Sequence, residues 1–341
     1  MSVPVIAFFN NKGGVGKTSI VYHLSWMYAE RGLRVLAADL DPQANLTSAF
    51  LDEDRVETLF QDERNPETVV RCLQPLIEGS GDVADPKPEQ ITERLALIVG
   101  DMALSSFEDE LSKVWPDCLE GKPRAFRVTS AFWRLLQKGA EDHGADVILI
   151  DLGPNLGAIN RTALIASDFV VIPLGPDLFS IQGLRNLGPT IRRWREDWRK
   201  RIVAWQETAS RGKSSVANGL PLPTGSIDPV GYVVLRHSIR LDRPVKAFDR
   251  WIAKMPGVYL ESVLGQESTH APPIDQDANC IAKLRDYRSL MPLAQEAHKP
   301  MFLLKPADGA LGAHAHAVQD VFDDFLGVAR EIANRTRLRA I

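Results

Sequence analysis

A glycine-rich stretch close to the start of the sequence constrains the fold more than any other feature. Residues 10–19 read N-N-K-G-G-V-G-K-T-S and lie between the apolar run 4–9 and residues 20–29, where apolar side chains recur at helical spacing. A short apolar run of this kind is typical of a buried parallel strand. A glycine-rich loop that leads from such a strand into a helix is typical of a phosphate site. The sequence therefore predicts an α/β fold with a phosphate-binding loop after its first strand.

The residues of this loop suit a nucleoside triphosphate and a magnesium ion. Gly13, Gly14 and Gly16 can adopt backbone angles that residues with a Cβ atom resist, so that successive amide N–H groups can point at phosphate oxygens. The positive end of the following helix adds to this attraction. Lys17 supplies a mobile positive charge for the β- and γ-phosphates, and the Thr18 hydroxyl is placed to bind Mg²⁺.

A second lysine, Lys12, opens the loop and gives the pattern K-G-G-V-G-K-T. This pattern resembles the deviant Walker A motif of the ParA/MinD family of P-loop ATPases, in its Soj-like form. The resemblance implies a homodimer that sandwiches two ATP molecules, with Lys12 reaching the partner's nucleotide much as an arginine finger does. The predicted nucleotide-binding residues are Lys12, Gly13, Gly14, Val15, Gly16, Lys17, Thr18 and Ser19.

Two aspartates follow the next apolar run, where residues 33–43 read L-R-V-L-A-A-D-L-D-P-Q. A strand that ends in carboxylates delivers them to the edge of the sheet where ligands bind in open α/β folds. The stretch resembles the family's switch I, D-x-D-P-Q-x-N. By this resemblance Asp41 positions the attacking water, and Asp39 supports the Mg²⁺ shell. The predicted catalytic residues are Lys12, Lys17 and Asp41.

Asp151 ends a third apolar run, residues 146–151, in the manner of a Walker B strand. A carboxylate at this position can hold Mg²⁺ through its water shell. The predicted metal-binding residues are Thr18, Asp39 and Asp151. The next residues, L-G-P-N-L-G, resemble switch II, usually D-x-P-P-S-L-G, except that Gly153 replaces the first proline and Asn155 the serine.

The remaining runs predict a P-loop NTPase fold, with a twisted, mostly parallel sheet and helices on both faces. Further strands are expected at 95–99, 168–174 and 230–235. Helices are expected near 66–77, 102–115, 127–139, 181–207 and 313–337. We expect a helix and a short strand within 245–262, an irregular segment at 265–280 and a loop over 283–300. The chain is expected to be one domain, residues 1–341, with insertions around 52–94, 205–228 and 263–282.

Composition limits where the chain acts and what it binds. The formal net charge is −4, so any binding of nucleic acid must come from a local basic patch. The cysteines Cys72, Cys118 and Cys280 lie far apart, which indicates reduced thiols and a cytoplasmic protein. The sequence has neither a secretory leader nor an apolar run of the roughly 18 residues that a membrane span needs. We therefore expect no stable membrane insertion.

The resemblance implies a partition ATPase as the leading hypothesis. In the ATP state such a dimer binds DNA without sequence preference, near the nucleoid, and a ParB-like partner stimulates hydrolysis and releases it. The sequence leaves the cargo open among a plasmid, a chromosome, a protein cluster and a defence system. The phosphate loop begins about ten residues into the sequence, as in short ParA forms that lack a helix-turn-helix extension. The candidate DNA-binding residues are Arg192, Arg195, Arg199, Lys200, Arg335 and Arg337.

Two alternatives stay open from the residues. A MinD-like ATPase that positions a complex at a membrane or on a protein scaffold would need an amphipathic C-terminal helix, and residues 330–341 offer Ile332, Leu338 and Ile341 as apolar anchors. A redox relative of the nitrogenase iron protein would need cysteines at the dimer interface. ATP is expected rather than GTP because no N/T-K-x-D segment is present. The base is expected near residues 236–238.

Overall fold

The computed structural model of the chain describes residues 2–61, 67–210, 219–237, 239–240, 243–244, 246–267, 271–287, 289–310, 312–339 and 341. The strands are β1 (Val5–Phe8), β2 (Val35–Asp39), β3 (Glu89–Thr92), β4 (Leu95–Ile98), β5 (Val147–Asp151), β6 (Phe169–Leu174), β7 (Asp228–His237), β8 (Ile239–Arg240), β9 (Arg243–Pro244) and β10 (Cys280–Arg285). The α-helices are α1 (Lys17–Glu30), α2 (Asn45–Phe50), α3 (Glu53–Gln61), α4 (Val69–Glu78), α5 (Phe107–Asp117), α6 (Pro123–Thr129), α7 (Ala131–His143), α8 (Ala158–Ile165), α9 (Leu178–Ser210), α10 (Lys246–Ile252), α11 (Met255–Val258), α12 (Met291–Glu296) and α13 (Ala313–Thr336). Short 3₁₀ turns cover Met102–Ser106, Cys118–Glu120, Ile274–Gln276, Met301–Leu303 and Pro306–Asp308, and a π turn covers Tyr259–Leu264.

Within these residues, eight strands form one sheet in the order β10-β7-β6-β1-β5-β2-β4-β3. Neighbouring strands are parallel throughout, except that the edge strand β3 runs antiparallel to β4. This confirms the predicted fold of a mostly parallel sheet. The extent of the domain and the positions of its insertions stay predictions.

Helices cover both faces of the sheet, because the central strands are apolar on both sides. Along β1, Val5 and Ala7 point into a core under α4 to α9, whereas Ile6 and Phe8 point into a second core under α1 and α13. All four side chains are fully buried. A parallel sheet covered on both faces needs such continuous apolar strands.

The long helix α9 confirms the helix predicted over 181–207 and buries an apolar stripe. Trp194, Trp198 and Trp205 are buried, and the last two pack on Phe126 of α6. The Trp198 indole N–H donates to the carbonyl of Pro223 at 3.0 Å. The tryptophans of α9 therefore belong to the core, and most charged side chains of the helix face outward, although Arg201 is buried.

The segment between switch I and β4 is more ordered than the sequence predicted. The predicted helix near 66–77 is present as α4, but α3 and β3 were missed, and residues 62–66 lie outside the described residues. The Arg55 guanidinium on α3 binds the Glu89 carboxylate on β3 through two nitrogens, at 2.9 and 2.7 Å. This contact is a long-range one that local sequence pattern does not reveal.

Three further predictions of secondary structure were wrong. The expected helix 127–139 is two helices, because the chain bends at Ser130, where the Ser130 hydroxyl accepts a hydrogen bond from Arg134. The short strand expected within 245–262 is helical, because residues 259–264 pack on α9 around Gly188. The loop expected over 283–300 contains the end of β10 and all of α12. Tertiary packing overrides local propensity in each case.

We predict that Gly188→Ala destabilises the protein because α9 touches the π turn at this glycine. A Cβ atom at residue 188 would overlap the backbone carbonyl of Ser262, which cannot move as a side chain can. Overpacking of this kind costs about 1–3 kcal/mol or more in the free energy of unfolding. Gly327→Ala on α13 is the matched control, since nothing lies within 4 Å of that site, and it should stabilise by about 0.5–1 kcal/mol. Chemical denaturation of both variants measures the difference, and equal effects would contradict the prediction.

Candidate nucleotide site

The glycine-rich loop connects β1 to α1 in the conformation that phosphate binding needs. Gly14 and Gly16 have φ angles of 71° and 77°, which L-residues with a Cβ atom rarely adopt. No atom lies within 4 Å of a Cβ built on Gly14, so the mouth of the loop is open. Asn10 holds the base of the loop, because its amide donates to the carbonyl of Pro173 at 2.7 Å and its oxygen accepts from the Lys12 N–H at 3.0 Å.

Lys17 and Thr18 begin α1 beside the end of β5. The Lys17 ammonium group is buried and donates to the Lys12 carbonyl at 3.2 Å. Burial lowers the pKa of Lys17, although the charges of Asp151 and Asp41 counteract the effect. The Thr18 hydroxyl donates to the Asp151 carboxylate at 2.6 Å. A hydroxyl and a carboxylate at this separation form an oxygen donor set that suits Mg²⁺. The structure thus brings Lys17, Thr18 and Asp151 together as the sequence predicted.

Asp39 and Asp151 are paired residues on the adjacent strands β2 and β5. Burial raises the pKa of Asp151, and the neighbouring Asp39 carboxylate raises it further. Burial also raises the pKa of Asp39, although the Asp39 carboxylate accepts hydrogen bonds from the Thr47 N–H and hydroxyl, each at 2.8 Å. The Asp39 carboxylate therefore holds the start of α2, the helix that follows switch I. Its place in a Mg²⁺ shell stays a prediction.

Asp41 lies between the phosphate loop and switch II. Its carboxylate accepts from the Gln43 N–H at 3.0 Å, and a Cβ built on Gly153 would be 3.0 Å from the same oxygen. Gly153, which replaces a proline of the switch II pattern, thus leaves room for Asp41. The arrangement suits a carboxylate that orients a water molecule next to a bound phosphate.

Lys12 points away from its own loop and forms an ion pair with Asp177 at the start of α9. The Lys12 side chain is 27% exposed and that of Asp177 is 34% exposed, so the pair lies near the surface. Burial by itself would raise the pKa of Asp177. The hydrogen bond from Lys12 and the other contacts of the carboxylate outweigh burial, so the pKa of Asp177 is lowered. The other Asp177 oxygen accepts from the Ser180 N–H at 3.0 Å. The sequence pattern gave no sign of this partner for Lys12.

A cavity of about 560 Å³ lies over the phosphate loop and is large enough for a nucleotide. One wall is formed by α12 and the residues after it, namely Met291, Ala294, Gln295 and Lys299. The sequence interpretation placed the base near residues 236–238 instead; Ser238 and the side chains of Arg236 and His237 lie outside the described part of the chain. The available sequence signal for α12 was Pro292, because proline is favoured in the first turn of a helix.

His23 connects the cavity to the C-terminal part of the chain. Its Nδ1 lies 2.7 Å from the Ser19 carbonyl, and its Nε2 accepts from the Met301 N–H at 3.2 Å. The ring also stacks on Phe325 of α13. Both bonds require the neutral imidazole with its proton on Nδ1. His23 therefore positions the first turn of α1 against α13.

Comparison with known proteins agrees with this geometry. The family model AAA_31, described as an AAA domain, matches residues 3–204, which is more than half of the chain. The sporulation initiation inhibitor protein Soj of Bacillus subtilis is 32% identical over 189 residues, and protein DIP2308 of Corynebacterium diphtheriae is 30% identical with a TM-score of 0.61. The chain belongs to the ParA/MinD-like family of P-loop ATPases.

The match covers different shares of these relatives. It spans 55% of this chain and 64% of Soj, and for DIP2308 it spans 73% of this chain and 87% of that one. A chromosome partitioning protein ParA of Caulobacter vibrioides is 29% identical over 58% of this chain and 66% of its own length. An ATP complex of McdA from Cyanothece covers 100% of this chain and 98% of that one, with a TM-score of 0.61, but at 17% identity it shows the fold alone.

Most of the basic side chains proposed for DNA have partners within the protein. Arg195 pairs with Asp228 at 3.0 Å and Lys200 with Glu196 at 2.9 Å. Arg192 donates to the carbonyls of residues 262 and 263, and Arg335 donates to those of residues 230 and 278. Arg199 and Arg337 are exposed. Binding of DNA by these six side chains stays a prediction.

The C-terminal apolar residues are used inside this ParA-like fold. Ile332 is fully buried, and Leu338 and Ile341 pack against the core under α13. Across the ranges that the structure describes, the helices are too short or too polar to span a bilayer. A membrane-binding role for this segment is therefore unsupported by its packing.

We predict that His23 makes stability fall in mild acid. Burial lowers the pKa of His23 to about 4, whereas an unfolded histidine has a pKa near 6.5. The unfolded chain thus binds the proton first, and stability is lost as the pH falls from about 6.5 to about 4. Protonation of His23 should lower the free energy of unfolding by about 2–3 kcal/mol between pH 7 and pH 4.5. Denaturation of the protein and of His23→Gln across this range measures the difference, and parallel pH profiles would refute the assignment.

Proposed function

We propose that this chain is a magnesium-dependent ATPase that dimerises around ATP and acts as a partition-type switch. The observation that carries the proposal is the different placement of the two loop lysines. Lys17 is buried under its own phosphate loop, whereas Lys12 is turned outward onto Asp177 at the surface. A cation held outside its own site is available to a nucleotide bound by a second copy of the chain.

The residues of the site divide the chemical work between them. The loop amides and Lys17 would hold the phosphates of ATP, and Thr18 and Asp151 would hold Mg²⁺. Bound Mg²⁺ would neutralise phosphate charge as it develops. Asp41 orients the attacking water from the switch I side. Lys12 of the partner copy stabilises the charge on the transferred phosphoryl group, as an arginine finger does. The buried site and the need for a second copy are consistent with slow turnover by the isolated chain.

DNA is proposed as the surface on which the ATP dimer moves, with a partner protein on the cargo as the trigger of hydrolysis. The name of one relative of this chain supports the proposal: it is a chromosome partitioning protein, ParA of Caulobacter vibrioides. The structural support is that Arg199 lies on an exposed face of α9 and Arg337 just beyond α13. DNA binding would concentrate the protein at the nucleoid.

We predict that Lys12→Ala removes the concentration-dependent part of ATP hydrolysis. The specific activity of the wild-type chain should rise with protein concentration as dimers form, and that of the variant should stay at the monomer level. Lys12→Arg keeps the charge and should retain part of the rise. Steady-state phosphate release over a protein dilution series measures this effect, with thermal unfolding as the control for folding. Wild-type turnover by Lys12→Ala would disprove the role in trans.

Gly13→Val should permit ATP binding but prevent the dimer. A Cβ at residue 13 has only Pro154 nearby, at 3.8 Å, so a side chain fits in the isolated chain. The larger valine methyl groups would stand at the mouth of the loop, where the second copy must approach. Sedimentation velocity with Mg-ATP checks the dimer, and a fluorescent ATP analogue checks binding. A normal dimer in the variant would overturn this expectation.

Binding to random-sequence duplex DNA tests the proposed surface. We expect binding with ATP but not with ADP or without nucleotide, and we expect the affinity to fall steeply with salt. Arg199→Glu should weaken binding to all sequences alike, with a salt slope lower by about one or more. Lys113→Glu on α5, which is also exposed, is the matched control. An ATP dimer that binds no DNA would exclude this part of the function.

A further inference from the structure

The helix that follows switch II is capped by a carboxylate from a distant part of the chain. The first two N–H groups of α8, those of Ala158 and Ile159, donate to the two oxygens of Glu108 on α5, the second at 2.8 Å. The residue before the helix, Gly157, supplies no side-chain cap. A Cβ on Gly157 would be 2.6 Å from a Glu108 oxygen, so a glycine is needed for this contact. The anionic cap also complements the positive end of the helix dipole.

Switch II is bound to this same turn of α8. The buried Asn160 amide donates to the carbonyls of Gly153 and Asn155, at 2.8 and 2.7 Å. Gly153 is the residue that lies against the Asp41 carboxylate. A continuous series of contacts therefore runs from Glu108, through the first turn of α8 and switch II, to the residue proposed to orient water.

Arg161, one turn further along α8, has buried nitrogens that lack an acceptor. Its Nε and Nη2 find no hydrogen-bond partner among the described residues, and its guanidinium lies 4.3 Å from the centre of the Trp115 ring. Burial and the positive charge of the neighbouring Arg201 lower the pKa of Arg161 to about 10, and the nearby negative charge of Glu108 counteracts part of that shift. Buried donors without acceptors are rare in native proteins and require an explanation.

We propose that Glu108 is a positioning residue for ATP hydrolysis whose carboxylate has two positions, one on the first amides of α8 and the other on Arg161. In the first position it holds α8 and switch II against Asp41. In the second it satisfies the Arg161 guanidinium and releases the first turn of α8. The inference rests on the proposed ATPase function.

Hydrogen exchange of the peptide that covers residues 152–165 tests the two positions without ATP turnover. Glu108→Gln leaves one acceptor oxygen for two amides, so exchange at the start of α8 should become about tenfold faster. Arg161→Met keeps an apolar stem over Trp115 but removes the second position, so exchange there should become several-fold slower. Arg161→Lys keeps the positive charge, so exchange at the start of α8 should occur at the wild-type rate. Asp109→Asn, an exposed neighbour on α5, is the matched control and should change nothing.

The kinetic readout separates positioning from structure. Glu108→Gln should lower kcat about tenfold with less than a twofold change in KM, because switch II is displaced while the phosphate loop is intact. If Glu108→Gln fails to fold, Gly157→Ala disturbs the same contact from the other side and should give the same exchange result. Faster exchange in Arg161→Met would show a merely structural arginine and overturn the proposal, as would an unchanged kcat in Glu108→Gln. A wild-type chain without ATPase activity would refute the proposed function, and the exchange measurements would still decide the positions of Glu108.

Discussion

The rest of the structure depends on a group of buried charges at the carboxyl ends of the central strands. Asp39 and Asp151 lie side by side on β2 and β5, and the Lys17 ammonium is buried near Asp151 and Asp41. Isolated buried charges are costly, so each must be balanced by hydrogen bonds or by an opposite charge. Thr18 and Thr47 supply the hydrogen bonds. Bound phosphate and Mg²⁺ would add opposite charges at the same place, which relates ligand binding directly to the stability of this region.

The two switch segments are built onto this group of charges. The Asp39 carboxylate accepts a hydrogen bond from Thr47, which follows switch I. Switch II follows Asp151, and its Gly153 carbonyl accepts a hydrogen bond from Asn160 of α8. The two departures from the usual switch II pattern have physical roles in this chain. Gly153 leaves space for Asp41, and the Asn155 side chain accepts from the Gly157 N–H at 2.9 Å. Switch II therefore fits its neighbours in this chain, and it leads into α8, whose first N–H groups donate to the Glu108 carboxylate of α5.

The sequence predicted best the elements whose signal is local. The central strands are continuous apolar runs, and the phosphate loop is a pattern of glycines, so both could be recognised without tertiary information. The elements that were missed depend on distant partners. β3 is an edge strand tied to α3 by Arg55, and β10 has weak apolar character because it lies at the other edge. The residues 259–264 became helical because they pack on Gly188.

By itself the sequence determined the class of fold and the position of the phosphate loop, because both follow from backbone freedom and apolar runs within short segments. The sequence also located Lys17, Thr18, Asp41 and Asp151 at the ends of the loop and strands, and their roles stay predictions. Only the tertiary structure decided which charges meet. Lys12 finds Asp177, Glu108 finds the amides of α8, and Arg335 is occupied by backbone carbonyls. Each of these partners is at least 50 residues away in the chain. Such pairings are set by the packing of helices on the sheet, which no local pattern contains.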